Sequence, residues 1–158
     1  MKLEGSCHCG AVRFSLDSET PVPYMKCYCS ICRKVAGGGG YAINIGGSTS
    51  SLQIEGAEHI SVYETGPSPE GADAPRGRRF CGKCGSALWN YDPRWPDLLH
   101  PFASVIDTPL PAPPQTVHIM LGSKANWVSP CVAEGDLEHD EYPEESLANW
   151  HARQEMKG

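Results

Sequence analysis

The sequence has no apolar run long enough to cross a bilayer. Its longest uncharged stretch, Val35 to Ile54, contains six glycines and the polar segment Ser48-Thr49-Ser50-Ser51. It cannot supply the roughly 20 consecutive apolar residues of a helical span. The first residues include Lys2 and Glu4 and no apolar h-region, which predicts a chain without a secretory signal and a cytoplasmic location. No basic stripe is present, so neither nucleic acid nor a membrane is an expected partner. A P-loop, a dinucleotide-binding glycine fingerprint and a Ser-His-Asp constellation are all missing, which removes the common nucleotide and acyl-transfer chemistries. Aromatic residues are scarce, at 8 %. Turn-forming residues are not: 17 Gly and 14 Pro in 158 residues argue against a helical bundle and for short strands joined by loops. The length fits one domain, residues 1–158, with enough chain to bury a core.

The net charge is −6, and its distribution is uneven. Acidic and basic side chains cancel over residues 1–133, and the whole excess lies in 134–158. Seven acids fall between Glu134 and Glu145. The segment reads as a solvated acidic loop leading to a terminal helix.

Eight cysteines in a chain with no secretion signal point to metal or thiol chemistry rather than disulfides. Seven of them are clustered: Cys7-His8-Cys9, then Cys27-Tyr28-Cys29-Ser30-Ile31-Cys32, then Cys81-Gly82-Lys83-Cys84, with Cys131 alone. Tight C-x-C and C-x-x-C spacings converge thiolates on one ion, whereas a disulfide framework spaces cysteines to staple distant loops. A redox pair would need a thioredoxin-like βαβ context, which is absent. Zinc is the expected metal because it tolerates thiolate ligands and has no redox chemistry, with an iron–sulfur cluster as the alternative. Seven thiols divide most naturally as four plus three. A four-thiolate site is closed, as structural zinc requires, and a three-thiolate site keeps one tetrahedral position open, as catalytic zinc requires. Spacing leaves the pairing open. It favours Cys27, Cys29 and Cys32 together, since one C-x-C-x-x-C segment can wrap an ion from one side.

Periodicity predicts the frame. Val12, Phe14 and Leu16 alternate with Arg13 and Ser15 in a half-buried strand. Further strands are expected at Tyr41/Ile43/Ile45, Leu52/Ile54, Ile60/Val62, Ala87–Tyr91 and Val117/Ile119/Leu121. Ser30 is the expected N-cap of a short helix through Ala36, ended by Gly37–Gly40, a run suited either to close backbone approach or to a flexible loop. Gly66–Arg78 reads as a surface loop and Pro109–Pro114 as a stiff connector. Pro143–Met156 reads as a terminal helix with Leu147, Trp150 and His151 on one face. His118 is expected to be a satisfied core histidine, Trp127 to fill core, His8 to face solvent, and Cys131 to be idle.

The blocks Gly5-Ser6-Cys7-His8-Cys9-Gly10-Ala11-Val12-Arg13-Phe14, Cys27-x-Cys29-Ser30-x-Cys32-Arg33-Lys34 and Arg79-Phe80-Cys81-x-x-Cys84-Gly85, followed by His118-Ile119 and Ser123-Lys124-Ala125-x-Trp127, resemble the glutathione-dependent formaldehyde-activating enzyme family. That family includes the centromere protein V relatives. The resemblance implies a mainly β fold, a β-tent of small antiparallel sheets around zinc with a short C-terminal helix. It implies two zinc ions per chain, a structural one on Cys7, Cys9, Cys81 and Cys84 and a catalytic one on Cys27, Cys29 and Cys32. It further implies a carbon–sulfur lyase whose partner is a small-molecule thiol such as glutathione, forming S-(hydroxymethyl)glutathione with formaldehyde. Arg33, Lys34 and Lys124 are candidates to bind the carboxylates of such a thiol, and Arg76, Arg78 and Arg79 are further cations to consider. The competing class is a non-catalytic, zinc-stabilised interaction module. The odd thiol count speaks against it, because a purely structural module would complete its second site with a fourth Cys or His.

Overall fold

The computed structural model describes residues 1–19 and 22–155. Twelve strands among them run in the order β1 (Lys2–Ser6), β2 (Arg13–Asp17), β3 (Tyr24–Cys27), β4 (Ala42–Asn44), β5 (Gly47–Ser48), β6 (Gln53–Glu55), β7 (Ile60–Glu64), β8 (Gly77–Cys81), β9 (Ala87–Tyr91), β10 (Leu98–Pro101), β11 (Thr116–Ile119) and β12 (Leu137–Glu138). Two helices complete the frame, α1 (Ser30–Val35) and α2 (Leu147–Glu155). The fold is mainly β, as expected. The strands form a three-stranded sheet, β1-β2-β6, a five-stranded sheet, β5-β10-β9-β8-β7, and a four-stranded sheet, β12-β11-β3-β4. The first two are antiparallel throughout. The third is mixed, because β11 runs parallel to both β3 and β12.

The strand around Val12, Phe14 and Leu16 forms as its alternation predicts, and all three side chains are buried. The expected strand at 87–91 matches β9. The strands near Ile54 and Ile60 both exist, yet they do not pair with each other. β6 closes the edge of the first sheet on β2, and β7 closes the edge of the second on β8. The turn at Gly56–His59 moves the chain from one sheet to the other.

Several expectations fail for identifiable reasons. The loop predicted over Gly66–Arg78 ends earlier, at Arg76, because Gly77, Arg78 and Arg79 enter a central strand covered on both faces. β11 stops at Ile119 rather than Leu121, since Met120 turns into the left-handed region (φ 61°) and donates its N–H to Glu141 O. The N-cap of α1 is Cys29, not Ser30, and its thiol accepts the N–H of Cys32. α2 begins at Leu147, four residues after Pro143, and the predicted end at Met156 lies outside the described residues. Its expected face holds, with Trp150 buried and Leu147 and His151 half-buried. Trp127 does not fill core: it is 66 % exposed, lying against the glycine run, where a Cβ on Gly40 would collide with Val128. Within the run, close approach applies at Gly37, against the Tyr41 backbone, and at Gly40, whereas Gly38 has open space.

The acidic segment is not a free loop throughout. Leu137–Glu138 forms β12, and Asp136 reaches into the fold. His118, fully buried, holds Tyr28 Oη at 2.9 Å on Nδ1 and Asp136 Oδ2 at 3.3 Å on Nε2. Asp136 also accepts the backbone N–H of Thr116 and Ala133, both at 2.9 Å. The carboxylate selects the Nε2–H tautomer, which leaves Nδ1 to accept from the Tyr28 hydroxyl. His118 is the satisfied core histidine expected of it.

Burial alone would raise the Asp136 carboxyl, but the two N–H donors and His118 hold it below the ordinary carboxylate range. A lowered folded-state pKa adds stability that is present above the unfolded value and is lost as pH falls through the folded one. Asp136→Ala should cost about 1–3 kcal/mol at neutral pH, the penalty for leaving His118 unsatisfied, and should flatten the loss of stability below about pH 4. Urea melts across pH check both effects; an unchanged midpoint and acid slope would contradict this network.

Candidate metal centres

Two hairpin tips build the first cysteine group. Cys7 and Cys9 lie in the turn between β1 and β2, while Cys81 ends β8 and Cys84 lies in the turn between β8 and β9. Each turn closes with a backbone bond, Gly10 N–H to Cys7 O at 3.0 Å and Gly85 N–H to Cys81 O at 2.8 Å. Gly10 and Gly85 have φ of 74° and 76° with open space around them. They are required for the left-handed turn and not for packing. The His8 N–H donates to Ser86 Oγ at 3.0 Å and ties the tips together. The His8 side chain faces solvent, as expected.

The four Sγ atoms lie within 4.8 Å of one another. Cys7 and Cys9 are 3.5 Å apart and Cys9 and Cys81 are 3.8 Å apart. Sulfurs about 2.3 Å from a tetrahedral zinc are separated by about 3.8 Å, so this donor set fits a closed four-thiolate site. A disulfide would bring two sulfurs to about 2.05 Å. The metal-free thiols are electrostatically unequal. Hydrogen bonds from Ser86 pull Cys84 down to about 5, while Cys9 is held up at about 11: the backbone N–H of Ala11 lowers it, but Cys7, burial, Cys84 and Cys81 together outweigh that bond.

The second group comes from one segment. Cys27 ends β3, Cys29 caps α1, and Cys32 lies in its first turn. Cys27 and Cys32 are buried and Cys29 is half-buried. Their three Sγ atoms are also within 4.8 Å of one another. Hydrogen bonds from Cys27 and Cys32 lower the Cys29 thiol to about 2, and the same contact with Cys29 raises Cys27. No His, Asp or Glu among the described residues joins this trio.

Arg33 is half-buried with Nε lacking a hydrogen-bond partner, and Lys34 is exposed; both lie in the last turn of α1. Lys124 is exposed on a separate turn after β11. Of the other cations, Arg76 and Arg94 engage Asp92, at 3.2 and 2.7 Å. Arg79 is buried, with its guanidinium 5.2 Å from the Tyr91 ring. Arg78 is buried and donates to Cys32 Sγ at 3.4 Å. Cys131 is exposed and belongs to neither group.

Sequence reasoning missed Tyr28, Asp136 and Tyr142. Tyr28 was visible only as a spacer between two cysteines. Asp136 was hidden in an acidic run. Tyr142 follows Glu141, whose carbonyl is held by Met120 next to Ile119, the register partner of Cys27. The backbone therefore carries this exposed tyrosine to the rim of the trio.

A mainly β chain with one four-thiolate and one three-thiolate cluster defines a class of protein able to hold two metal ions. The model of the glutathione-dependent formaldehyde-activating enzyme family matches residues 2–123, and the chain belongs to that family. A protein of Halomonas elongata named "Putative glutathione-dependent formaldehyde-activating enzyme" is 56 % identical over 97 % of this chain and 96 % of its own length. A crystal structure of a Rhodobacter sphaeroides protein superposes with a TM-score of 0.54 at 25 % identity, covering 70 % of this chain and 92 % of that one.

Elemental analysis of the purified chain should give two metal ions per chain. Cys84→Ser should remove one ion and lower the melting temperature, because that site joins two distant hairpins. Cys131→Ala should change neither. One ion or none in protein prepared without chelators would contradict the two-centre assignment.

Proposed function

We propose that this chain is a zinc-dependent carbon–sulfur lyase that adds the thiol of glutathione to formaldehyde, reversibly, to give S-(hydroxymethyl)glutathione. One observation carries the reading: within a single family member, a complete four-thiolate cluster stands beside a three-thiolate cluster that no other ligand among the described residues completes. A purely structural module has no use for an unfinished site, and this separates the enzyme from the interaction module.

Cys27, Cys29 and Cys32 would hold a divalent ion, which when bound would supply a Lewis-acid position able to ionise a thiol whose ordinary pKa is roughly 8.5. The chain's own residues fix the geometry. The first turn of α1 and the end of β3 hold the three sulfurs together, and an ion bound by three thiolates would keep one tetrahedral position for substrate. We assign the carboxylates of the tripeptide to Arg33 and Lys34, in the last turn of the same helix, with Lys124 as a third cation. The substrate sulfur forms the bond to the carbonyl carbon. The C=O π pair moves to oxygen, and the thiol proton ends on that oxygen. In the reverse direction the C–S bond breaks and the same proton leaves the hydroxyl.

Free thiols add to formaldehyde unaided, so the rate is read by exchange NMR against a blank without enzyme. Cys29→Ser should reduce turnover to the blank while keeping one metal ion and the fold. Lys34→Ala should raise KM several-fold with little change in kcat, the signature of lost ground-state binding. Full turnover in Cys29→Ser would overturn the assignment.

A further inference from the structure

Arg78 and Arg79 are adjacent in β8 and each is only 7 % exposed, but they point to opposite faces of the sheet. Arg79 is accounted for by packing: it sits over the Tyr91 ring and donates to Gly77 O at 3.1 Å. Arg78 is not. Its Nη2 donates to Cys32 Sγ at 3.4 Å, and its Nε is buried without a partner. It forms no ion pair with a carboxylate among the described residues, and the buried carboxylate Asp92 is engaged by Arg76 and Arg94.

A guanidinium stays charged in proteins, and burying it without an anion is costly. The anion available to Arg78 is the sulfur trio. Three thiolates and one divalent ion sum to −1, and a thiolate substrate takes the site to −2. Adding an anion to an already negative, half-enclosed site is opposed by Coulomb repulsion that water screens poorly. A fixed positive charge in contact with Cys32 offsets one unit of it.

We infer that Arg78 is a positioning and charge-compensating residue of the Cys27/Cys29/Cys32 centre, and that it makes the open position of that centre prefer an anionic thiolate over a neutral donor. This rests on the open-site reading proposed above. It assigns Arg78 a place beside the sulfurs, not the role of a carboxylate clamp for the tripeptide.

The test uses the full chain loaded with cobalt(II), whose thiolate charge-transfer absorption reports each added sulfur. Glutathione is the anionic probe and imidazole the neutral one. Arg78→Met removes charge and donors, Arg78→Gln keeps donors without charge, and Arg78→Lys keeps charge. In the wild type, glutathione should add a thiolate band. In Arg78→Met and Arg78→Gln it should bind about tenfold or more weakly, while imidazole binds as tightly as before, and Arg78→Lys should recover part of the loss. Equal weakening of both probes, or no weakening of either, would overturn the inference. Should Arg78→Met fail to fold, Arg78→Gln decides alone. Absence of a new thiolate band in the wild type at saturating glutathione would instead overturn the open-site reading itself.

Discussion

Seven sulfurs packed at contact distance cannot all be thiolates unless cations sit among them. In the four-cysteine group, separations of 3.5 and 3.8 Å are the edges of a thiolate tetrahedron and not the span of a disulfide. Much of the architecture follows from that constraint. The β1–β2 and β8–β9 hairpins belong to different sheets, and their tips meet at these four sulfurs. Both glycines that allow the tips to turn are there for backbone conformation alone. Each cysteine group is also backed by apolar side chains. Cys7 and Cys81 belong to the core around Leu3, Phe14 and Trp89, and Cys27 and Cys32 to the one around Phe102, Val117 and Ile119. Any metal held there would couple its binding to core packing.

The two groups differ in a way that matters for chemistry. The first draws its four sulfurs from two hairpins far apart in sequence. The second draws three from one short segment, with a buried arginine behind Cys32 and a buried Tyr28–His118–Asp136 chain behind the C-x-C turn. The partner strand β11 presents His118 beside Lys26 and Ile119 beside Cys27. The polar support and the ligand are thus set by the same pair of strands. Asp136 lies beyond residue 123, where the family match ends, and so the acidic C-terminal segment contributes to the inner support of a site built from the matched region.

Much of this was legible in the sequence, for physical reasons. Cysteine spacing is a local signal, and local signals survive without a fold: the Cys27, Cys29 and Cys32 trio assembles as its spacing favoured, while the meeting of Cys7 and Cys9 with Cys81 and Cys84, which spacing left open, is the one the family resemblance implied. Alternation exposed the strand around Phe14, because one face of it meets a core; β9 was legible as a strand leaving the second C-x-x-C, and its adjacent Leu88 and Trp89 are buried on opposite faces. What stayed hidden was non-local. Gly77 and Arg78 read as the end of a Pro- and Gly-rich loop, and only the five-stranded sheet shows that Arg78 and its neighbour Arg79 are covered. Asp136 reads as one more acid in an acidic run until β12 brings it to His118. Trp127 reads as core because tryptophan ordinarily is, and the turn that carries it leaves it on the surface over Gly40.

The central claim is that one centre is closed and the other accepts the sulfur of the substrate. X-ray absorption at the zinc edge, with and without saturating glutathione, tests it directly. The edge identifies the metal, and the fine structure counts sulfurs. Two zinc ions with a mean of about 3.5 sulfurs at rest, rising toward about 4 with glutathione, is the predicted result. A count that does not change on adding glutathione, or a resting second site already completed by nitrogen, would contradict it.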